Sequence, residues 1–212
     1  VKTADYRNRV AGARTVDVLS SAAAARSRRG DVGDASAEPP AAQEVPWPEV
    51  FRKAPGAAAL ATGLGSGLLP GAPGTWGSLL ALVLSEGLFE VSGVSGVAVL
   101  AVASAALGVP VSGRVSALRG RKDPSEVVLD EVAGQALALA LLHAVLPSDA
   151  SPLLRWGLVA LAFGLFRLFD IAKPGPIDRL QSLPGGWGVM ADDLLAGLAA
   201  GILAGAAAFA LS

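Results

Sequence analysis

Several carboxylates stand in this chain where apolar sequence has least use for them. In DPSEVVLDEVAGQ, residues 123–135, Asp130 and Glu131 lie between Val127-Val128-Leu129 and Val132-Ala133, at the entrance to an apolar stretch. An aspartate at the centre of a membrane helix costs roughly 2.5–3.5 kcal/mol on insertion scales and less near the interface, so such residues are normally kept for a function. A second cluster, GGWGVMADDLLAG (185–197), sets Asp192 and Asp193 at the opening of the last apolar stretch. One carboxylate is enough to cap a helix and meet its dipole. Two adjacent ones after a glycine-rich loop suggest a shared cation site. The chain has no cysteine and a single histidine, His143, so the available donors are hard oxygens, which point to Mg2+. The candidate ligands are Glu126, Asp130, Glu131, Asp192 and Asp193. Between the clusters runs FRLFDIAKPGPIDRL (166–180). Two readings of it stand side by side: Arg167 and Lys173 bind phosphate while Asp170 joins the metal cage, or Arg167 and Asp170, at i and i+3, are a neutralised ion pair within a helix.

Some of these residues have simpler roles open to them. Asp123, Pro124 and Glu126 fit the N-cap, N1 and N3 positions of a helix, a capping arrangement. On that helix Glu126 and Asp130 share a face, with Asp123 one turn before, while Glu131 points about 100° away in line with Gln135. A lone histidine in an apolar segment reads as hydrogen-bonded interior. It also excludes any mechanism that needs two histidines, including the phosphohistidine type of lipid phosphatase.

The elements that must position these groups are apolar. Of 212 residues, 52% are hydrophobic and 17% charged, and the mean hydropathy is +0.53, above what a soluble domain of this size shows. A net charge of −1 and scattered tryptophans give no footprint for nucleic acid as a partner. Residues 1–53 are rich in Ala, Arg, Ser, Asp and Pro, hold nine of the seventeen basic residues and show no sustained apolar face. They read as a disordered tail, without the apolar stretch of a cleavable signal peptide. From residue 54 to 212 apolar segments follow in series: Ser78–Phe89, broken by Glu86; Val91–Gly113; Val132–Ser148; Leu153–Phe169, with Arg155 and Arg167; and Leu194–Ser212. About 20 apolar residues span a bilayer, so the expected fold is all-α, a polytopic membrane bundle of four to five spans. Segments one and two pair as a hairpin, as do three and four. Basic residues concentrate in the tail, in 114–122 and at Lys173 and Arg179, while 147–152 has none. The positive-inside rule therefore puts the tail and the 114–131 and 172–193 loops in the cytoplasm.

One segment breaks the pattern. From Ala54 to Ser85 no residue is charged, yet LPGAPGTWGS (69–78) holds two prolines and three glycines. Irregular backbone survives in lipid only where protein or a polar cavity satisfies it. The expectation is a re-entrant loop lining the site, with Gly74 and Thr75 among the groups offered to an anion through backbone N–H and close approach.

Four motifs, GSGLLPGAPGTWGS (65–78), DPSEVVLDEVAGQ (123–135), FRLFDIAKPGPI (166–177) and GGWGVMADDLLAG (185–197), resemble in order and spacing the phosphatidylglycerophosphatase A family. The resemblance covers about residues 57–212. It implies a Mg2+-dependent phosphatase of the bacterial inner membrane, multi-pass, that removes the terminal phosphate of phosphatidylglycerophosphate at the cytoplasmic face. Two features depart from the family: Gly175 stands where an aromatic is common between the prolines of KPxP, and the long tail lies outside the pattern. The chemistry is then metal-assisted hydrolysis of a phosphomonoester. Asp130, Glu131, Asp170 and Asp193 are the catalytic carboxylates, one of them a general base, and Arg167 and Lys173 stabilise the transferring phosphate. Two rivals remain: a non-enzymatic membrane cation carrier, and a soluble all-α phosphatase of another phosphomonoester.

Overall fold

The computed structural model describes residues 44–211. Residues 1–43 of the expected tail lie outside the described residues. Its last ten do not continue a tail, since Trp47–Lys53 forms helix α1 with Val50 fully buried. There follow α2 (Pro55–Ala61), a single 3-10 turn (Ser66–Leu68), α3 (Pro73–Arg119), α4 (Leu129–Val145), α5 (Pro152–Ala172), α6 (Pro176–Leu180) and α7 (Trp187–Leu211). No strand occurs among the described residues.

The longest helix is two arms. α3 is broken at Gly93, whose φ of 64° and ψ of −157° are open only to glycine. Contacts give the direction of each arm. Gly77 lies against Val128 at the start of α4, and Glu86 and Phe89 reach His143 near its end. Past the break, Val97 packs with Leu142, Ala204 and Ala208. Gly108 and Ser112 are back beside Met190, and Gly113 abuts Gly186. The first two apolar segments therefore form the hairpin expected of them. α4 and α5 form the second, turning at 146–151, and Ser151 Oγ caps α5 by accepting the Leu154 N–H.

Three helices, α3, α5 and α7, are long and apolar enough to cross a membrane. Their outward faces are apolar as well: Val91, Leu153 and Phe209 are each more than 80% exposed, the inverse of a soluble surface. α4 is shorter and central, buried on most of its length against α3, α5 and α7. Small residues permit this packing. α7 buries Ala196, Ala200, Ala204 and Ala208 in one row and Gly197, Gly201 and Gly205 beside it, the small-xxx-small pattern that lets apolar helices approach closely. A Cβ at Gly197 would strike the backbone of Gly134, and one at Gly201 would meet Leu141 and Ala138.

Two sequence expectations are corrected. LPGAPGTWGS is irregular only in its first half: Pro73 occupies the first position of α3, where its missing N–H costs nothing, and the rest is helix. Only residues 69–72 are bent there, Gly71 with φ 98°. Asp123, Pro124 and Glu126 do not cap a helix either, because α4 starts at Leu129, with Val128 preceding it and no side-chain cap. Packing overrides the capping pattern. Val127 and Val128 are buried, Val128 among Gly63, Gly67 and Gly77, and the Val128 N–H donates to the Ala61 carbonyl at 2.8 Å, which holds this stretch out of a helix.

Candidate active site

At the end of the bundle where α3 begins and α4 and α7 start, a cavity of about 280 Å3 opens. The first turn of α3 supplies Ala72, Pro73 and Gly74; the 120–128 loop supplies Asp123, Ser125 and Val127; α4 supplies Asp130 and Glu131. The end of α5 and its cap bring Arg167, Asp170 and Lys173, and α7 brings Asp192 and Asp193. The loops at 114–131 and 172–193 thus meet at one end, as the basic residues foretold.

Each side chain is held by a local device. The Arg167 guanidinium donates to Asp170 Oδ2 at 2.6 Å and to Ser78 Oγ at 3.3 Å. The ion-pair reading of Arg167 and Asp170 therefore holds, and both residues also line the cavity. Lys173 terminates α5 in the left-handed conformation (φ 43°), and its Nζ donates to Asp192 Oδ2 at 2.5 Å. Burial works against the charged lysine, but the Asp192 carboxylate outweighs it and holds the Lys173 pKa above the ordinary range. The Asp123 pKa is raised as well, pushed up by burial and by the facing Asp192 charge. Gly74 is glycine for a spatial reason: a Cβ there would run into Glu131 Oε1 and the Arg167 guanidinium.

Carboxylates outnumber cations in this wall. Asp130, Glu131 and Asp193 each offer an oxygen within 4.8 Å of the others. Asp130 Oδ1, Glu131 Oε2, Asp192 Oδ1 and Asp193 Oδ2 are buried without a hydrogen-bond partner. A buried acceptor left unpaired is costly. Four such oxygens around one cavity form a hard donor set of the kind that suits a divalent cation.

Of the sequence candidates, Gly74, Asp130, Glu131, Arg167, Asp170, Lys173, Asp192 and Asp193 are brought together. Glu126 is not: its carboxylate turns to Arg119 at 3.5 Å, outside the cavity. Thr75 is not in the wall, its N–H closing the first helical turn onto the Ala72 carbonyl. Asp123 and Ser125 line the cavity although they were not among the candidates, Asp123 because its position before a proline read as a cap. His143 is interior, as expected: its Nε2 lies 2.8 Å from Glu86 Oε1, its ring stacks on Phe89, and Arg155 pairs with Glu86 at 2.9 Å. This cluster is at the opposite end of the bundle.

An all-helical bundle with apolar outer faces and, at one end, a carboxylate-rich cavity flanked by an arginine and a lysine has the form of a membrane-embedded phosphatase. The family model for phosphatidylglycerophosphatase A matches residues 59–208, and the chain belongs to that family. Curated relatives include phosphatidylglycerophosphatase A of Haemophilus influenzae, 39% identical over 68% of this chain and 83% of that protein. The Escherichia coli protein of the same name is 35% identical over 68% and 79%. A putative phosphatidylinositol-3-phosphatase of Bacteroides thetaiotaomicron is 38% identical over 68% and 88%. No solved structure is significantly similar to the chain.

Proposed function

We propose that this enzyme hydrolyses the terminal phosphomonoester of phosphatidylglycerophosphate to phosphatidylglycerol, with Mg2+ held by Asp130, Glu131 and Asp193, and that the cavity faces the cytoplasm from the bacterial inner membrane. The observation that carries the reading is the set of partnerless buried oxygens on Asp130, Glu131, Asp192 and Asp193 in one cavity with Arg167 and Lys173. The family and two of the named relatives supply the substrate. The basic residues at 114–122 and at Lys173 and Arg179 supply the orientation.

The metal, when bound, neutralises phosphate charge and lowers the pKa of the attacking water. The chain's own residues do the rest. Arg167, braced by Asp170 and Ser78, presents its fixed fork to phosphate oxygens, and Lys173, at the cap of the same helix and paired with Asp192, adds a point charge. Gly74 leaves room for Arg167 and Glu131 to meet the substrate together. A carboxylate of the wall accepts the proton of the attacking water. As the water oxygen bonds to phosphorus, the phosphorus–oxygen bond to the glycerol breaks, and the glycerol oxygen takes up the proton returned by that carboxylate, giving phosphatidylglycerol and inorganic phosphate. The position of the cavity at the end of apolar helices keeps the acyl chains in lipid while the headgroup reaches the carboxylates.

The carrier alternative needs polar groups in series across the bundle. Between Gln135, one turn past the cavity, and His143, α4 instead buries only Ala136, Ala138, Leu139, Ala140 and Leu142, and this favours the enzyme. The test is phosphate release by the purified chain in detergent from phosphatidylglycerophosphate, phosphatidylinositol 3-phosphate and soluble glycerol 3-phosphate. Expected are release from phosphatidylglycerophosphate above both others, loss with EDTA and return with Mg2+. Undiminished turnover after thorough chelation overturns the metal role, and preference for the inositol lipid overturns the substrate.

A further inference from the structure

Outside the span of the family match, which begins at residue 59, lies a segment that grips the wall of the site. Residues 44–53 meet the end of α3 and the 120–128 loop through one buried cation. Arg119 has a side chain only 7% exposed, and four groups hold it. Its guanidinium donates to the Val45 carbonyl at 2.5 Å and to Glu44 Oε2 at 2.8 Å, approaches Glu126 at 3.5 Å and lies over the Trp47 ring at 5.1 Å. The Val45 N–H returns a bond to the Arg119 carbonyl at 3.2 Å, so the two residues bracket each other. Beneath this bracket Val50, fully buried, packs with Val115, Val127 and Val189.

The other side of the same loop is the active-site wall. Glu126, which Arg119 faces, stands between Ser125 and Val127, and both of these line the cavity together with Asp123. Val127 belongs to both surfaces: it lines the cavity and it packs with Val50. The loop is not helical, and Gly120 (φ 73°) frees it from α3. Its placement therefore rests on tertiary contacts. On the substrate side it meets carboxylates that repel Asp123, and on the outer side it meets the bracket.

We propose that Arg119, Glu44 and the Trp47–Val50 turn form a strap that positions the 121–128 wall, so that Arg119 is a positioning residue setting the fit of the phosphate headgroup in the cavity. The substrate part rests on the function proposed above; the ordering of the loop does not. Arg119 reaches neither the cavity nor the phosphate-binding residues, so it acts through Glu126 and Val127. Loosening the strap lets Asp123, Ser125 and Val127 sample other positions, which weakens substrate binding while leaving the carboxylates of α4 and α7 where they are. KM is the constant that moves, and kcat the one that changes less.

The experiment compares the full chain with Arg119→Gln and Arg119→Lys, and deletion of residues 1–43 with deletion of 1–53. It uses detergent and two readouts: hydrogen exchange of the 121–128 amides, and KM and kcat for phosphatidylglycerophosphate. A buried cation deprived of its bracket leaves its partners unpaired, so Arg119→Gln is expected to lower protection of 121–128 and to raise KM, each by about tenfold or more. Protection of α5 and α7 stays unchanged. Arg119→Lys keeps the charge but not the fork, and falls between. Deleting 1–43 leaves both readouts as they were, whereas deleting 1–53 reproduces Arg119→Gln and stands in for it should that variant fail to fold. Unchanged protection of 121–128 in both the Arg119→Gln and the 1–53 deletion variants overturns the strap. Lowered protection with an unchanged KM overturns its role in substrate fit. If the full chain does not hydrolyse phosphatidylglycerophosphate, it is the function reading that fails, and protection alone then decides whether the strap orders the loop.

Discussion

Adding one methyl group at Gly197 is expected to abolish most of the activity while leaving most of the fold. Gly197 faces Gly134 where α7 crosses α4, and a Cβ there would sit 2.7 Å from the Gly134 carbonyl carbon and 2.9 Å from its Cα, against ordinary contacts that begin at 3.4 Å. Both atoms are backbone, so no rotamer relieves the clash. The helices must part by roughly 1 Å, since interiors are packed without slack. The carboxylates sit one turn away on the same two helices: Asp130 and Glu131 lie before Gly134, and Asp193 lies before Gly197. Their offered oxygens now fall within 4.8 Å of each other. Overpacking of this kind costs about 1–3 kcal/mol of stability, whereas a 1 Å misplacement of reacting groups costs roughly a hundredfold in rate. Phosphate release should fall by about two orders of magnitude in Gly197→Ala, with a melting temperature in detergent lowered by only a few degrees. Gly157→Ala and Gly164→Ala are the controls, because a Cβ at either position meets nothing within 4 Å. Near-normal turnover in Gly197→Ala would refute the argument that helix spacing sets the carboxylate cluster.

Further expectations concern charge. Asp130→Asn and Asp193→Asn each remove an anionic oxygen from a buried, cation-poor cluster, so both variants should melt at or above the parent temperature while phosphate release falls by orders of magnitude. Near-normal turnover in either one removes that residue from the metal site. Lys173→Met should raise KM more than it lowers kcat and should leave Asp192 without its partner, which binding of inorganic phosphate and thermal melting will show separately. Glu86→Leu strips the buried His143 of its carboxylate at the far end and leaves the half-buried Arg155 with Glu90 alone. It is expected to cost about 3 kcal/mol in stability without changing KM; a changed KM would mean that the two ends are coupled.

The sequence made the chemistry more legible than the boundaries. Residues that bury charge in apolar surroundings announce themselves, and seven of those singled out share the cavity. The hairpin of the first two apolar segments was legible too, because Glu86, Glu90 and the glycines that follow interrupt the apolar run. What failed was local pattern set against distant packing. Asp123-Pro124 and Glu126 spell a helix start, but Val127 and Val128 have partners far away in sequence, at Val50, Ala61 and Gly77, and those partners hold the backbone in a turn outside the helix. Glu126 was placed in the site by helical spacing and Thr75 by the irregular Gly/Pro segment; Arg119 turns the first away, and the first turn of α3 takes up the backbone N–H of the second. The strap was invisible for a related reason. WPEVFRK is too short to show an apolar face, and its stability comes from Arg119, some seventy residues on.

The Glu86–His143–Arg155 cluster bears on how the chain comes together. The first arm of α3, the central α4 and α5 each contribute one member; Glu86 and His143 are shut off from solvent and need each other as partners, while Arg155 also reaches Glu90 at the exposed edge. Each helix alone would enter the bilayer carrying an unmet polar group near its far end, and only side-by-side association in one register removes that penalty. Apolar packing of alanine against glycine would tolerate a slide along the helix axis, but a carboxylate shared between an imidazole and a guanidinium would not. The far end thus works as an alignment key for assembly, fixing which turn of α4 meets which turn of its neighbours before any lipid headgroup arrives at the other end.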